Sequence, residues 1–192
     1  MSQIFIVFTP NSFKMYKTVE EALNGNFFAT EPELEKVIRL LIAKPQVNVS
    51  GRLTLLVEVD GTKTIEQLIA DGKYDWKNSD VNQKNYPVAN ITKRTTEIEL
   101  FHFNRSISSD GTKKEMDKAG FRPATIEELL TLGSSNPELQ RQFPIIALGS
   151  VCRLGFARYV AFLVVGGGGR ELGLDDLAPD WDGDCRFAAV RK

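Results

Sequence analysis

After residue 144 every apolar run in this chain has the length and pattern of a β-strand, and the helix signals all stand before it. The strand-like runs are residues 145–151, 158–165 and 187–190. Upstream, residues 96–103 form another strand candidate. Ser109-Asp110 then opens a helix that should stop at Gly120, a residue suited to the left-handed C′ position. Thr125 with Glu128 makes a capping box for a second helix over residues 126–132, which Gly133 should end. Asn136-Pro137-Glu138 starts a short helical turn. Helices grouped ahead of strands predict an α+β architecture with a mostly antiparallel sheet, not an alternating α/β one.

The first half of the chain predicts a small α+β element of its own. Residues 4–8 are a short strand candidate. Thr30-Glu31-Pro32-Glu33 is a helix start: a hydroxyl cap, a proline tolerated in the first turn, and an acid at the third position. Leu34, Val37, Ile38 and Leu41 follow at helical spacing. Residues 52–59 (RLTLLVEV) are a strand, Asp60-Gly61 a turn, and Thr64 with Gln67 a cap for a short helix. Residues 71–93 are polar and carry four asparagines. They read as a linker, which places a division near Asn90, into 1–90 and 91–192. A surface loop within one domain remains the alternative.

Composition narrows the function. The 192 residues carry a formal charge of -1, with no run of Lys or Arg. That lacks the electrostatic footprint of a nucleic-acid binder. The opening residues show no secretory leader, and the apolar stretches at 4–8 and 159–169 are too short to span a membrane. The chain therefore reads as a soluble protein made inside a cell, with export by another route and its final location open. Two cysteines, Cys152 and Cys185, are too few for a disulfide scaffold and lack metal-site spacing. The single histidine, His102, leaves no obvious general base for a nucleophile. Asp180-x-Asp182-x-Asp184, with Asp175 and Asp176 nearby, offers calcium-like oxygens but lacks the later Glu of a calcium loop. It reads as a solvated acidic turn around Trp181. Gly166 to Gly169 lack the Lys-Ser/Thr of a phosphate loop and read as a turn between strands. No cofactor and no metal are expected.

Two motifs carry a resemblance. Gly120-Phe121-Arg122-Pro123-Ala124-Thr125-Ile126-Glu127-Glu128-Leu129 is similar to the "G-[YF]-R-x-[PA]-T-x-x-E" start of the second helix in C-type-lectin-like domains. Asp180-Trp181-Asp182-Gly183-Asp184-Cys185-Arg186-Phe187-Ala188-Ala189-Val190-Arg191 resembles the terminal "DW-x-x-x-x-RF-x-AVR" of one branch, the variable proteins of diversity-generating retroelements, including archaeal ones. Ala147-Leu148-Gly149-Ser150-Val151 resembles the core strand between them. The resemblance covers residues 96–192. It implies a C-type-lectin-like ligand-binding domain whose hypervariable region is rewritten by a reverse transcriptase that misreads adenines. Codons of the AAC type then become NNC codons, which never encode Lys, Glu, Gln, Met or Trp. Residues 153–169 contain none of those five types.

Strand alternation divides the same region, about 153–185, into two sets. Val160, Leu163, Leu172, Leu174, Trp181 and Phe187 are the expected buried frame. The expected ligand-binding, variable positions are Arg153, Gly155, Phe156, Ala157, Tyr159, Phe162, Val164, Val165, Gly173, Asp175, Asp176, Asp182, Gly183, Asp184 and Cys185. Phe156, Tyr159 and Phe162 would be anchors, because aromatics give large contact area at low entropy cost. The function expected is non-enzymatic protein–protein recognition of an unknown protein ligand, with the oligomeric state open. The alternatives are an oxidase of formylglycine-generating type on the same fold, which would need Cys152 and Cys185 for redox work, or a structural assembly protein.

Overall fold

The computed structural model describes residues 5–9, 12–16, 46–47, 52–88, 92–177 and 180–192. The chain divides into two compact units, Met1–Lys44 and Pro45–Lys192. In the first, β1 (Phe5–Thr9) and β2 (Ser12–Tyr16) pair antiparallel. The helix expected from Thr30, with Leu34, Val37, Ile38 and Leu41, lies outside the described residues.

The division falls at Lys44–Pro45 and not near Asn90. The reason is pairing. β4 (Leu53–Asp60) runs antiparallel to β6 (Lys93–Phe101), from Leu53↔Leu100 to Asp60↔Lys93. The polar stretch between them therefore connects neighbours in one sheet, and it buries Val81 and Tyr86 on the way.

That sheet has the order β3 (Gln46–Val47), β4, β6, β11 (Arg186–Arg191), β8 (Ile145–Leu154), β9 (Ala157–Gly166), β10 (Gly169–Asp176), β5 (Trp76–Lys77). A short β7 (Phe121–Pro123) also pairs with β11. The β10–β5 and β11–β8 pairs are parallel and the others antiparallel, so the sheet is mixed and the architecture α+β. β10 follows the four-glycine turn, as a turn between strands requires, although no continuous apolar run marks it. Its alternation is broken by Gly173 and the acidic pair Asp175-Asp176.

Three helices are seen among the described residues, two of them opened by the predicted caps and the third by Ser108, one residue ahead of the expected Ser109-Asp110. α1 (Ile65–Gly72) and α3 (Ile126–Ser135) carry complete capping boxes, Thr64 with Gln67 and Thr125 with Glu128. α2 (Ser109–Lys118) is capped by the Ser108 hydroxyl and followed by Gly120 at φ +83°. The expected stop at Gly133 is not one, because α3 continues to Ser135. Gly133 is there for packing: a Cβ would run into the Tyr74 hydroxyl and Leu163. Gly133→Ala should therefore destabilise the protein by about 1–2 kcal/mol through overpacking, read as a lower urea midpoint. Asn136-Pro137-Glu138 begins the expected short turn, with Leu139 N–H bonded to Asn136 O.

Two apolar cores cover opposite faces of the sheet. One joins Leu55, Val57, Ile98, Ala161, Leu163 and Leu172 to Ile65 of α1 and Leu129 of α3. The other joins Phe101, Ile146, Val160 and Phe187 to Met116 of α2 and to Trp181. Successive residues Val160 and Ala161 feed different cores, as alternation along a strand requires.

Candidate functional site

β8, β9 and β10 form an arm of two consecutive hairpins. Between β8 and β9, Leu154 pairs with Ala157 across a two-residue turn. Gly155 takes φ +62° there, the demand of a II′ hairpin at its first central position. Phe156 beside it is fully exposed (111%). Between β9 and β10, Gly167 and Gly168 both have positive φ, the I′ pattern. The four-glycine tract is thus a hairpin turn.

The frame expected from the sequence is largely where alternation put it. Val160, Leu163, Leu172, Trp181 and Phe187 are buried, and Leu174 is half-buried. Among the expected variable positions, Arg153, Gly155, Phe156, Val165, Asp175, Asp182 and Asp184 are exposed. Ala157, Tyr159, Phe162, Val164, Asp176 and Gly183 are half-buried.

Two expected surface positions are corrected. Gly173 is buried: it stands opposite Phe162 in register, and a Cβ there would run into the Phe162 ring. Cys185 is buried in the second core with Trp181 and Phe187. A further correction concerns the anchors. Tyr159 packs against the first core and Phe162 against the second, so they lie on opposite faces of the sheet. The contact between Phe162 and Gly173 makes the two positions interdependent. Gly173→Ala should cost about 1 kcal/mol alone and much less in a Phe162→Ala background, a coupling that a double-mutant cycle would read.

The two sequence motifs have local physical reasons. Arg122 forms a two-pronged pair with Glu128, Nη1 to Oε2 at 2.9 Å and Nη2 to Oε1 at 2.8 Å. Thr125 N donates to the same carboxylate at 2.8 Å, and Arg94 reaches it at 3.4 Å. The Arg, Thr and Glu of the helix motif are therefore one network around a buried acid. In the terminal motif, Trp181 Nε1 donates to Ser109 Oγ at 2.8 Å, and that hydroxyl donates to Leu177 O at 3.0 Å. Trp181 and Ile107 exchange both backbone bonds. The acidic loop 182–184 is thereby tied to the start of α2, and His102 Nε2 meets Gly183 O at 2.9 Å. Among the described residues no three His, Cys, Asp or Glu side chains converge as a metal site requires.

Both thiols are free and buried. Burial, with Asp184 and Asp182 adding to it, pushes the Cys185 thiol up to about 11. A thiol held so far above neutrality presents little thiolate. Iodoacetamide at pH 8 should label Cys185 of the native protein far more slowly than that of the urea-unfolded chain. Equal rates would contradict this placement.

A buried cation went unseen in the sequence. Arg170, at the base of β10, is 5% exposed. Its Nη1 donates to Gly72 O at 2.6 Å, and its Nη2 to Gly133 O at 2.7 Å and Gln140 Oε1 at 3.1 Å. Gly72 ends α1 and Gly133 lies in the last turn of α3, where carbonyls have no helical partner and the dipole is negative. Gln140 Nε2 in turn donates to Val164 O at 2.7 Å and Glu171 O at 3.1 Å. A single charge thus fastens two helices to the root of the arm. An arginine following four glycines carries no periodic signal of burial. Trp76 was also missed. It is half-exposed (51%) on β5, in register with Glu171 of β10, and stands alone in a polar stretch.

Comparison with known protein families, curated proteins and solved structures finds no significant match to this chain. No helix among the described residues is long and apolar enough to cross a membrane.

Proposed function

We propose that this chain is a non-enzymatic recognition protein that presents the β8–β9–β10 arm to a protein ligand. The observation that carries this reading is the division within the arm. Its frame is locked into two cores, while three of the five exposed large apolar side chains of the described residues, Val151, Phe156 and Val165, stand on β8, β9 and the turn between them. Of these, Phe156 at the hairpin tip is fully in water, and an exposed aromatic at a turn suits contact with a partner. The buried, poorly ionised Cys185 gives the oxidase alternative little to work with.

More particularly, we propose a variable protein of a diversity-generating retroelement with a C-type-lectin-like domain. The motif residues and the absence of the five NNC-forbidden types from 153–169 support it. Positions 173 and 185 then belong to the frame in this copy, and the freely changeable set narrows to the exposed and half-buried residues. The gene's surroundings test this. A near-repeat of codons 153–185 that differs only at adenines, beside a reverse transcriptase, is the expected finding. Its absence overturns the retroelement assignment. For the recognition role, replacing Phe156 by Ala should leave the unfolding midpoint within about 1 °C, because an exposed side chain contributes little to stability.

A further inference from the structure

The tip of the arm holds an unanswered pair of like charges. Arg153 on β8 and Arg158 on β9 are directly opposite in register, and both are exposed. The carbonyl of Arg158 accepts a bond from Leu177 N at 2.8 Å, so it is turned away from Arg153. Facing residues that exchange no ladder bonds bring their side chains closest together, and like charges placed so oppose folding. Neither arginine makes an ion pair among the described residues. Five others do: Arg52 and Arg191 with Glu99, Arg94 and Arg122 with Glu128, Arg141 with Glu138. Two residues before Arg158, Phe156 stands fully in water.

We infer that this tip is a docking site for an acidic protein segment, its carboxylates taken by the Arg153–Arg158 pair and an apolar side chain laid against Phe156. The inference rests on the arm being the ligand-binding surface. A guanidinium fork suits a carboxylate geometrically, and binding would remove the repulsion that the free protein carries. An anionic membrane is the less favoured occupant. Lipid recruitment uses clusters of about 4–8 basic residues. Here there are two, on facing strands.

The test uses the full chain and three probes: a labelled peptide of alternating Asp and Leu, its Lys-for-Asp counterpart, and vesicles rich in phosphatidylserine. Fluorescence anisotropy should show saturable binding of the acidic peptide, at least about tenfold tighter than its counterpart and weakened by salt. Arg153→Gln with Arg158→Gln should reduce it about tenfold or more, and Phe156→Ala should reduce it as well. Arg153→Glu, which turns the repulsive pair into an attractive one, should raise the unfolding midpoint by about 1–3 °C. Equal binding of the two peptides, binding that survives the double Gln variant, or adsorption to vesicles without acidic-peptide binding would overturn the inference. Should the codon repeat be present and the peptide fail to bind, this inference alone is lost. Should the repeat be absent, the retroelement assignment is lost whatever the peptide does.

Discussion

Arg170→Ala should be the most damaging single change in the arm, lowering stability by about 3–5 kcal/mol although the residue lies far from the exposed tip. The substitution leaves Gly72 O, Gly133 O and Gln140 Oε1 without the donor they share. A buried acceptor stripped of its partner costs about 1–3 kcal/mol, and the three lie in one small volume. The effect should spread to the sheet, because Gln140 also holds Val164 O and Glu171 O. Arg170→Lys should recover only part of the loss. An ammonium keeps the charge at the helix ends but lacks the fork that reaches Gly72 and Gly133 together. Urea unfolding of the three proteins would order them wild type, Lys, Ala. An Ala variant within about 1 kcal/mol of wild type would mean that the two helices do not depend on this cation.

Glu128→Gln should cost about 2–3 kcal/mol and should also flatten the acid limb of the stability curve. The carboxyl is fully buried, which by itself raises its pKa. Arg122, the Thr125 N–H and Arg94 outweigh burial and hold the folded value below the ordinary 4.5. The unfolded chain therefore takes up the proton first as pH falls. The stabilisation is complete above the unfolded value and is lost as pH falls through the folded one. In the Gln variant this part of the slope disappears. The cost stays below that of a fully buried pair because Arg122 and Arg94 remain 40% and 27% exposed and can be rehydrated. Denaturant titrations at several pH values between about 3 and 7 would show it, with the two proteins converging at the acid end.

What could be read from the sequence was local and periodic. The caps at Thr64 and Thr125 are short-range hydrogen-bond patterns, and both helices start where those patterns put them. Val160, Leu163, Leu172 and Phe187 lie in the interior as expected, Val160 and Leu163 on opposite faces of β9. The misreadings all involve partners distant in the chain. Gly133 looks like a helix stop until Tyr74 is found lying across it. Gly173 looks like a surface position until Phe162 folds over it. The linker near Asn90 looks like a boundary until β4 and β6 are seen side by side. For the arm, Arg153, Phe156, Val165 and Asp175 leave the interior as expected, but Gly173 and Cys185 do not, and alternation did not say which face each residue reaches. β9 is covered on both sides, so Tyr159 and Phe162 part company.

The position of β11 makes the closing of the sheet depend on residues that follow the arm. It is a central strand, with β6 on one edge and β8 and β7 on the other, yet it follows the arm in sequence. During synthesis the arm emerges before the seam that joins the two half-sheets. A shift of reading frame anywhere in 153–185 would leave Phe101 and Ile146 facing a gap where Phe187 belongs.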